Sequence, residues 1–138
     1  MEEKRVSLIL SEEDTYVAAT SVGELKVGEH GYKPMELLLV SLAGCSGVDI
    51  SSILRKKRQK VKSIRIEVVG IRRDEFPRVY ESIKIIYSVK GEGISRKAVE
   101  SAVKLSIEKY CSVYAMLSKS VPIDVEIELW EEKDYQES

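Results

Sequence analysis

The sequence predicts a single α+β domain over residues 1–138, and three observations carry that reading. Apolar and polar residues alternate over several stretches, as in half-buried strands. Two other stretches have helical spacing, one of them the long apolar segment Lys33 to Gln59. Polar turns join neighbouring strands directly, so the strands group in hairpins rather than alternating one by one with helices. The expected order is β-β-β-α-β-β-α-(α)-β. No repeat, low-complexity segment or linker divides the chain, and 138 residues suffice for one hydrophobic core.

Arg5 to Leu10 puts Val6, Leu8 and Leu10 on one face, and Thr15 to Val22 is rich in β-branched residues and Tyr16. Glu12, Glu13 and Asp14 form the turn between these two strands. A third short strand, Glu24 to Val27, follows Gly23, and the loop Gly28 to Tyr32 leads to Pro34. Pro34 suits the first turn of a helix, where its missing N–H has no intrahelical acceptor, and Glu36 favours the positive end of the helix dipole. Arg55, Lys56, Lys57, Arg58, Lys60 and Lys62 close the far end, where positive charge is stabilising and a solvated helix terminus is expected.

Val61 to Arg72 and Val79 to Val89 alternate as long strands joined by the polar link Arg73 to Pro77. Ile64, Ile66 and Val68 share one face of the first; Val79, Ile83, Ile85, Tyr87 and Val89 share one face of the second. Gly91-Glu92-Gly93 breaks this strand, and Ser95 is the expected N-cap of a second helix with Val99, Ala102, Val103, Ser106 and Tyr110 at helical spacing. That helix is expected to run to about Lys109, with Glu100 and Lys104 as a supporting pair. Val113 to Leu117 continues it or begins a short third helix. Val121 to Glu131 alternates cleanly as the last strand, and Glu132 to Ser138 reads as a frayed polar tail.

With 22 basic and 23 acidic side chains the formal net charge is −1, which supplies no global field for nucleic acid. The acidic start, MEEKRVSLIL, lacks the features of an export signal, so a cytoplasmic location is expected. Leu37 to Val48 is a run of 12 residues, short of the roughly 20 that a bilayer needs. A core helix, not a membrane partner, is the reading. Asn is absent while Lys, Glu and Ile are abundant, a bias of thermophile proteins. A helix apolar nearly all round needs more cover than one sheet face gives, and a homodimer supplies it, with Gly44, Ser46 and Gly47 allowing close approach.

Chemistry narrows to few residues. Cys45 lies among small residues, Ala43-Gly44-Cys45-Ser46-Gly47, which leave room beside its sulfur. Cys111 falls at the apparent end of the second helix, where a break before Ser112 would set it near a new N-terminus that lowers a thiol pKa. From the residues alone, each cysteine is either core packing or a reactive thiol. His30 is the one histidine and reads as a surface loop residue. One His and two distant Cys do not make a metal site, and no phosphate-binding loop or cofactor fingerprint is present, so neither metal nor cofactor is expected.

Taken together, PMELLLVSLAGCSGVDI and the later EKYCSVYAMLSK resemble the osmotically inducible protein C and organic hydroperoxide resistance family (OsmC/Ohr), in a less characterised branch. The resemblance runs from Gly31 to the end of the last strand. It implies an intertwined homodimer with antiparallel sheets around two central cysteine-bearing helices. It implies further that Cys45 is a peroxidatic thiolate, that Cys111 is the resolving thiol, and that a small-molecule hydroperoxide is the substrate. A dithiol reductant, such as a protein-bound lipoyl group, would regenerate the pair in oxidative-stress defence. Where peroxidases of the family carry a glutamate directly after the helix-start proline, this chain has Met35, with Glu36 one residue later. By the same resemblance Glu36 is the candidate partner of the thiolate or of its cation, for which Arg5 and Lys26 are candidates. The competing expectation is a non-catalytic dimeric module that holds a small apolar ligand, with both cysteines as packing.

Overall fold

The computed structural model describes residues 1–132. The expected frayed tail lies outside them, except Glu132, whose carboxylate pairs with Lys62 at 2.8 Å. The chain divides into two compact units, Met1–Leu38 and Leu39 onward.

The first unit is a three-stranded antiparallel meander of β1 (Ser7–Glu12), β2 (Thr15–Ala19) and β3 (Glu24–Gly28), in that order. β2 stops three residues before the expected Val22 because Thr20 folds the chain back: its N–H and its hydroxyl both donate to the Gly23 carbonyl at 2.8 Å. Gly28 has φ +128, and a Cβ there would collide with the Asp14 carbonyl oxygen, so only glycine fits where the loop after β3 meets the β1–β2 turn. All six residues of β1 are exposed; within this unit only Thr15 and Ala18 are buried.

The helix α1 (Pro34–Lys56) starts where Pro34 and Glu36 predict. Over its 23 residues it is long and apolar enough, by length and composition, to cross a membrane, so the 12-residue argument from sequence does not hold for the folded helix. One face of the helix joins the core: Leu42, Ile50 and Leu54 are buried in the core cluster, with Ser46 buried on the same face. α1 ends in a Schellman motif. Gln59 N–H bonds the Leu54 carbonyl, Arg58 N–H bonds that of Arg55, and Arg58 takes the left-handed conformation at φ 58.

The second sheet has the order β4-β5-β6, from β4 (Lys60–Arg72), β5 (Tyr80–Glu92) and β6 (Ile123–Glu131). β4 and β5 form the expected antiparallel hairpin, but β6 pairs with β5 in parallel. The sheet is therefore mixed, not antiparallel throughout. The connection from β5 to β6 crosses over through helices and returns the chain in its starting direction. On the central strand Ile83, Ile85, Tyr87 and Val89 are buried as their shared parity predicts, while Val79, before the strand begins, is exposed.

The crossover contains α2 (Arg96–Leu105), a π-helical turn (Ser106–Tyr110) and α3 (Ser112–Leu117). Ser95 caps α2, its hydroxyl accepting from Ala98 N–H at 3.1 Å. Glu100 pairs with Arg96 one turn earlier, at 3.2 Å, rather than with Lys104. The α-helix ends at Leu105, short of the expected Lys109, because the next turn widens. Cys111 N–H reaches back five residues to the Ser106 carbonyl at 2.7 Å.

Candidate functional site

Cys45 sits in the middle of α1, half-buried beside the core cluster, and Cys111 sits at the break between the π-helical turn and α3, 2% exposed. The break before Ser112 is where the sequence places it. Both cysteines are free, and Cys45 is among the groups that act on the Cys111 thiol, so the fold brings two residues 66 positions apart in sequence within each other's influence.

The local structure explains how. A π-helical turn spends one residue more per turn than an α-helix, which rotates the chain beyond it and delivers Cys111 toward α1. Cys111 then serves as the N-cap of α3, its Sγ accepting from Tyr114 N–H at 3.4 Å. That bond favours the thiolate, as expected of a helix start. Burial outweighs it, however, and with Cys45 and Asp49 adding to the upward push the Cys111 thiol stands at about 11. The helix terminus therefore does not activate this cysteine, and at neutral pH it is a protonated thiol.

Beside the thiols runs a buried polar chain. Ser46 Oγ lies 2.7 Å from Tyr87 Oη and 2.9 Å from Ser106 Oγ, and Ser106 donates to Asp49 Oδ2 at 2.9 Å. Ser46 and Ser106 are at most 1% exposed, and burial pushes the Tyr87 phenol up to about 12. Sequence reasoning missed these four as site residues. The available signal was two polar groups at core positions: Ser106 on the apolar face of its helix, and Tyr87 in the buried parity of its strand. Asp49 opens onto a cleft of about 380 Å³ lined also by Val48, Ile53, Lys56, Leu105 and Tyr110.

Among the small residues around Cys45, Ser46 is taken by this chain and Gly47 packs against Ile66 of β4, where a Cβ would stand 3.0 Å from Ile66 Cδ1. Gly44 faces open space and lies with Val40 and Val48, 63% and 70% exposed, on one side of α1.

The remaining candidates have local surroundings of their own. Glu36 is in the first turn of α1, nine residues before Cys45; nine residues of helix rise about 13.5 Å and make about two and a half turns, so the two side chains leave the helix on opposite sides. Arg5 pairs with Glu3 at 2.9 Å and Lys26 with Glu12 at 3.2 Å. His30 is exposed in the loop after β3, its backbone N–H held by Thr15 Oγ1 at 2.9 Å. The basic cluster at the end of α1 is exposed and solvated, with Lys62 engaged by Glu132.

Comparison with known proteins adds four findings. The family model described as OsmC-like protein matches residues 27–126. Protein YhfA of Escherichia coli (strain K12) is 43% identical over 96 residues, which cover 70% of this chain and 72% of that protein. Among solved structures, a hypothetical protein from Aquifex aeolicus VF5 superposes with a TM-score of 0.92 at 51% identity, covering 96% of this chain and 99% of that one. The organic hydroperoxide resistance protein OhrB of Bacillus subtilis shares the fold, with a TM-score of 0.61 at 14% identity over 92% and 98% of the two chains.

Proposed function

The chain belongs to the OsmC-like family, and from that premise we propose that it is a thiol-dependent peroxidase that reduces organic or other hydroperoxides in oxidative-stress defence. One observation carries the proposal: two free thiols from distant parts of the chain lie close enough for Cys45 to act on the Cys111 thiol. The B. subtilis protein of the same fold carries organic hydroperoxide resistance in its name, which favours the same chemistry here.

In this reading Cys45, the more accessible thiol, attacks the outer peroxide oxygen. The O–O bond breaks, Cys45 becomes a sulfenic acid, and the alkoxide leaves as an alcohol after taking up the thiol proton. Cys111 gives up its proton to the departing hydroxyl as its sulfur attacks the sulfenic sulfur; a Cys45–Cys111 disulfide forms and water leaves. A dithiol, such as a lipoyl protein, reduces the disulfide by exchange and is itself oxidised. Both steps conserve atoms and electrons with no bound metal or cofactor.

The reading includes a cytoplasmic homodimer. Val40, Gly44 and Val48 give α1 an exposed stripe of small and apolar groups suited to a second copy of the helix. In such a dimer Glu36 would meet a thiolate or its cation across the subunit boundary, and Arg5 or Lys26 would exchange a local carboxylate for that role. Sedimentation or light scattering tests the assembly: a dimer that Val48→Lys converts to monomer supports it, and a monomeric wild type contradicts it.

Hydroperoxide consumption with dithiothreitol as reductant tests the activity. Turnover that is lost in Cys45→Ser is the expected result, and equal turnover by that variant contradicts the assigned roles. Met35 at the expected glutamate position favours a second reading, a module that binds a small apolar ligand with the cysteines as packing. Thermal stabilisation by fatty or aromatic compounds that persists in Cys45→Ala, without hydroperoxide turnover, would select it.

A further inference from the structure

The Tyr87–Ser46–Ser106–Asp49 chain has a direction. Each hydroxyl owns one proton and a carboxylate only accepts. Ser106 gives its proton to Asp49, so in its 2.9 Å contact with Ser46 it must accept. Ser46, having given its proton to Ser106, must accept from Tyr87 across 2.7 Å. Three protons thus point one way, toward the Asp49 carboxylate.

The chain also links the three segments that matter for the thiols. Ser46 is the neighbour of Cys45 on α1, and Ser106 begins the π-helical turn and accepts the Cys111 N–H on its carbonyl. Tyr87 anchors Ser46, and through it Ser106, to the central strand. We propose that this chain is a positioning device for the thiol pair: Ser46, Ser106 and Tyr87 hold the two cysteine-bearing segments in register for disulfide closure, and the Asp49 carboxylate sets the charge the thiols feel. The groups that act on Cys111 are the Tyr114 N–H from α3 and Cys45 and Asp49 from α1, and Cys111 acts in turn on Tyr87 of β5. Lys56 and Tyr110 share the cleft with Asp49. Asp49 stands one turn along α1 from Cys45 and accepts from Ser106, whose carbonyl holds the Cys111 N–H, and it is one of the groups that push the Cys111 thiol up. The proposal deepens the peroxidase reading but needs no peroxide to be tested.

Two measurements on the full chain test it: equilibration of the Cys45–Cys111 disulfide with dithiothreitol buffers, and the pH profile of Cys111 alkylation by iodoacetamide, read by mass spectrometry. Ser106→Ala cuts the chain and leaves the Asp49 charge. It is expected to shift the disulfide equilibrium about tenfold toward the dithiol, since loosened registration lowers the effective concentration of one thiol at the other. Asp49→Asn keeps an oxygen to accept from Ser106 and removes the charge. It is expected to raise the Cys111 alkylation rate at pH 8 by about threefold, half a pKa unit, a change that a packing role would not produce. Should Ser106→Ala fail to fold, Tyr87→Phe removes only the donor end of the chain, with a shift of about threefold expected. An unchanged equilibrium in the chain variants, an unchanged profile in Asp49→Asn, or a wild-type pair that forms no disulfide at any buffer ratio overturns the proposal. Absence of hydroperoxide turnover with these shifts intact would instead remove the peroxidase reading alone.

Discussion

Cys45 lies mid-way along a 23-residue helix whose buried face is packed into the core, whereas Cys111 lies at a break between a π-helical turn and a six-residue helix with no buried residue of its own. The first thiol is half-buried on a rigid element; the second is almost fully buried on a light one. In the proposed peroxidase the difference divides the labour. A thiol that must meet a substrate needs access, and one that only meets its partner does not. Burial that holds Cys111 protonated also protects it from oxidation while it waits.

The largest expected effect breaks the asymmetry at its accessible end. Cys45→Ser should abolish hydroperoxide turnover to background while leaving the thermal midpoint near that of wild type, because Ser is close in size. Cys111→Ser should retain one oxidation event per chain, with a sulfenic acid trappable by dimedone at Cys45. Its steady-state rate should fall at least about tenfold, because an intramolecular attack is replaced by a bimolecular one.

On stability the two regions should differ in the opposite sense. Ile50→Ala on the buried face of α1 should cost about 2–5 kcal/mol in urea unfolding, while Met116→Ala on α3, where the side chain is 75% exposed, should stay within about 0.5 kcal/mol. The smallest effect is on pH dependence. Cys111 and Tyr87 both ionise later in the folded protein, at about 11 and about 12, than at their ordinary values of 9.0 and 10.0. Their contribution to stability is therefore complete below pH 9 and is lost as pH rises through 9 to 12, where the unfolded chain releases these protons first. Urea midpoints at about pH 8 and about pH 10.5 should show the fall, and Cys111→Ala should show less of it.

Much of this was legible in the sequence because it rests on period and punctuation. The α+β class, the Pro34 start, the Ser95 cap, the strand faces of β4 to β6 and the break at Cys111 all come from local patterns. The parallel pairing of β6 was not legible, since strand direction is decided by where the helical crossover returns the chain. The Cys45–Cys111 meeting came from the motif pair, not from spacing, because two residues 66 positions apart carry no geometric signal. The rise of the Cys111 thiol was hidden for a similar reason. A helix start lowers a thiol pKa by a local effect, whereas the burial that overrides it is tertiary. Ser46 reads in sequence as one more small residue, and only the packing of Ser106 and Tyr87 against it makes it the middle of a chain.

The central claim is that the two thiols form one redox pair, and peptide mapping after a single oxidation tests it most directly. Reduced protein treated with a slight excess of an organic hydroperoxide, digested without reductant and analysed by mass spectrometry, should yield a peptide linked through Cys45 and Cys111. Both cysteines recovered unoxidised would contradict the account.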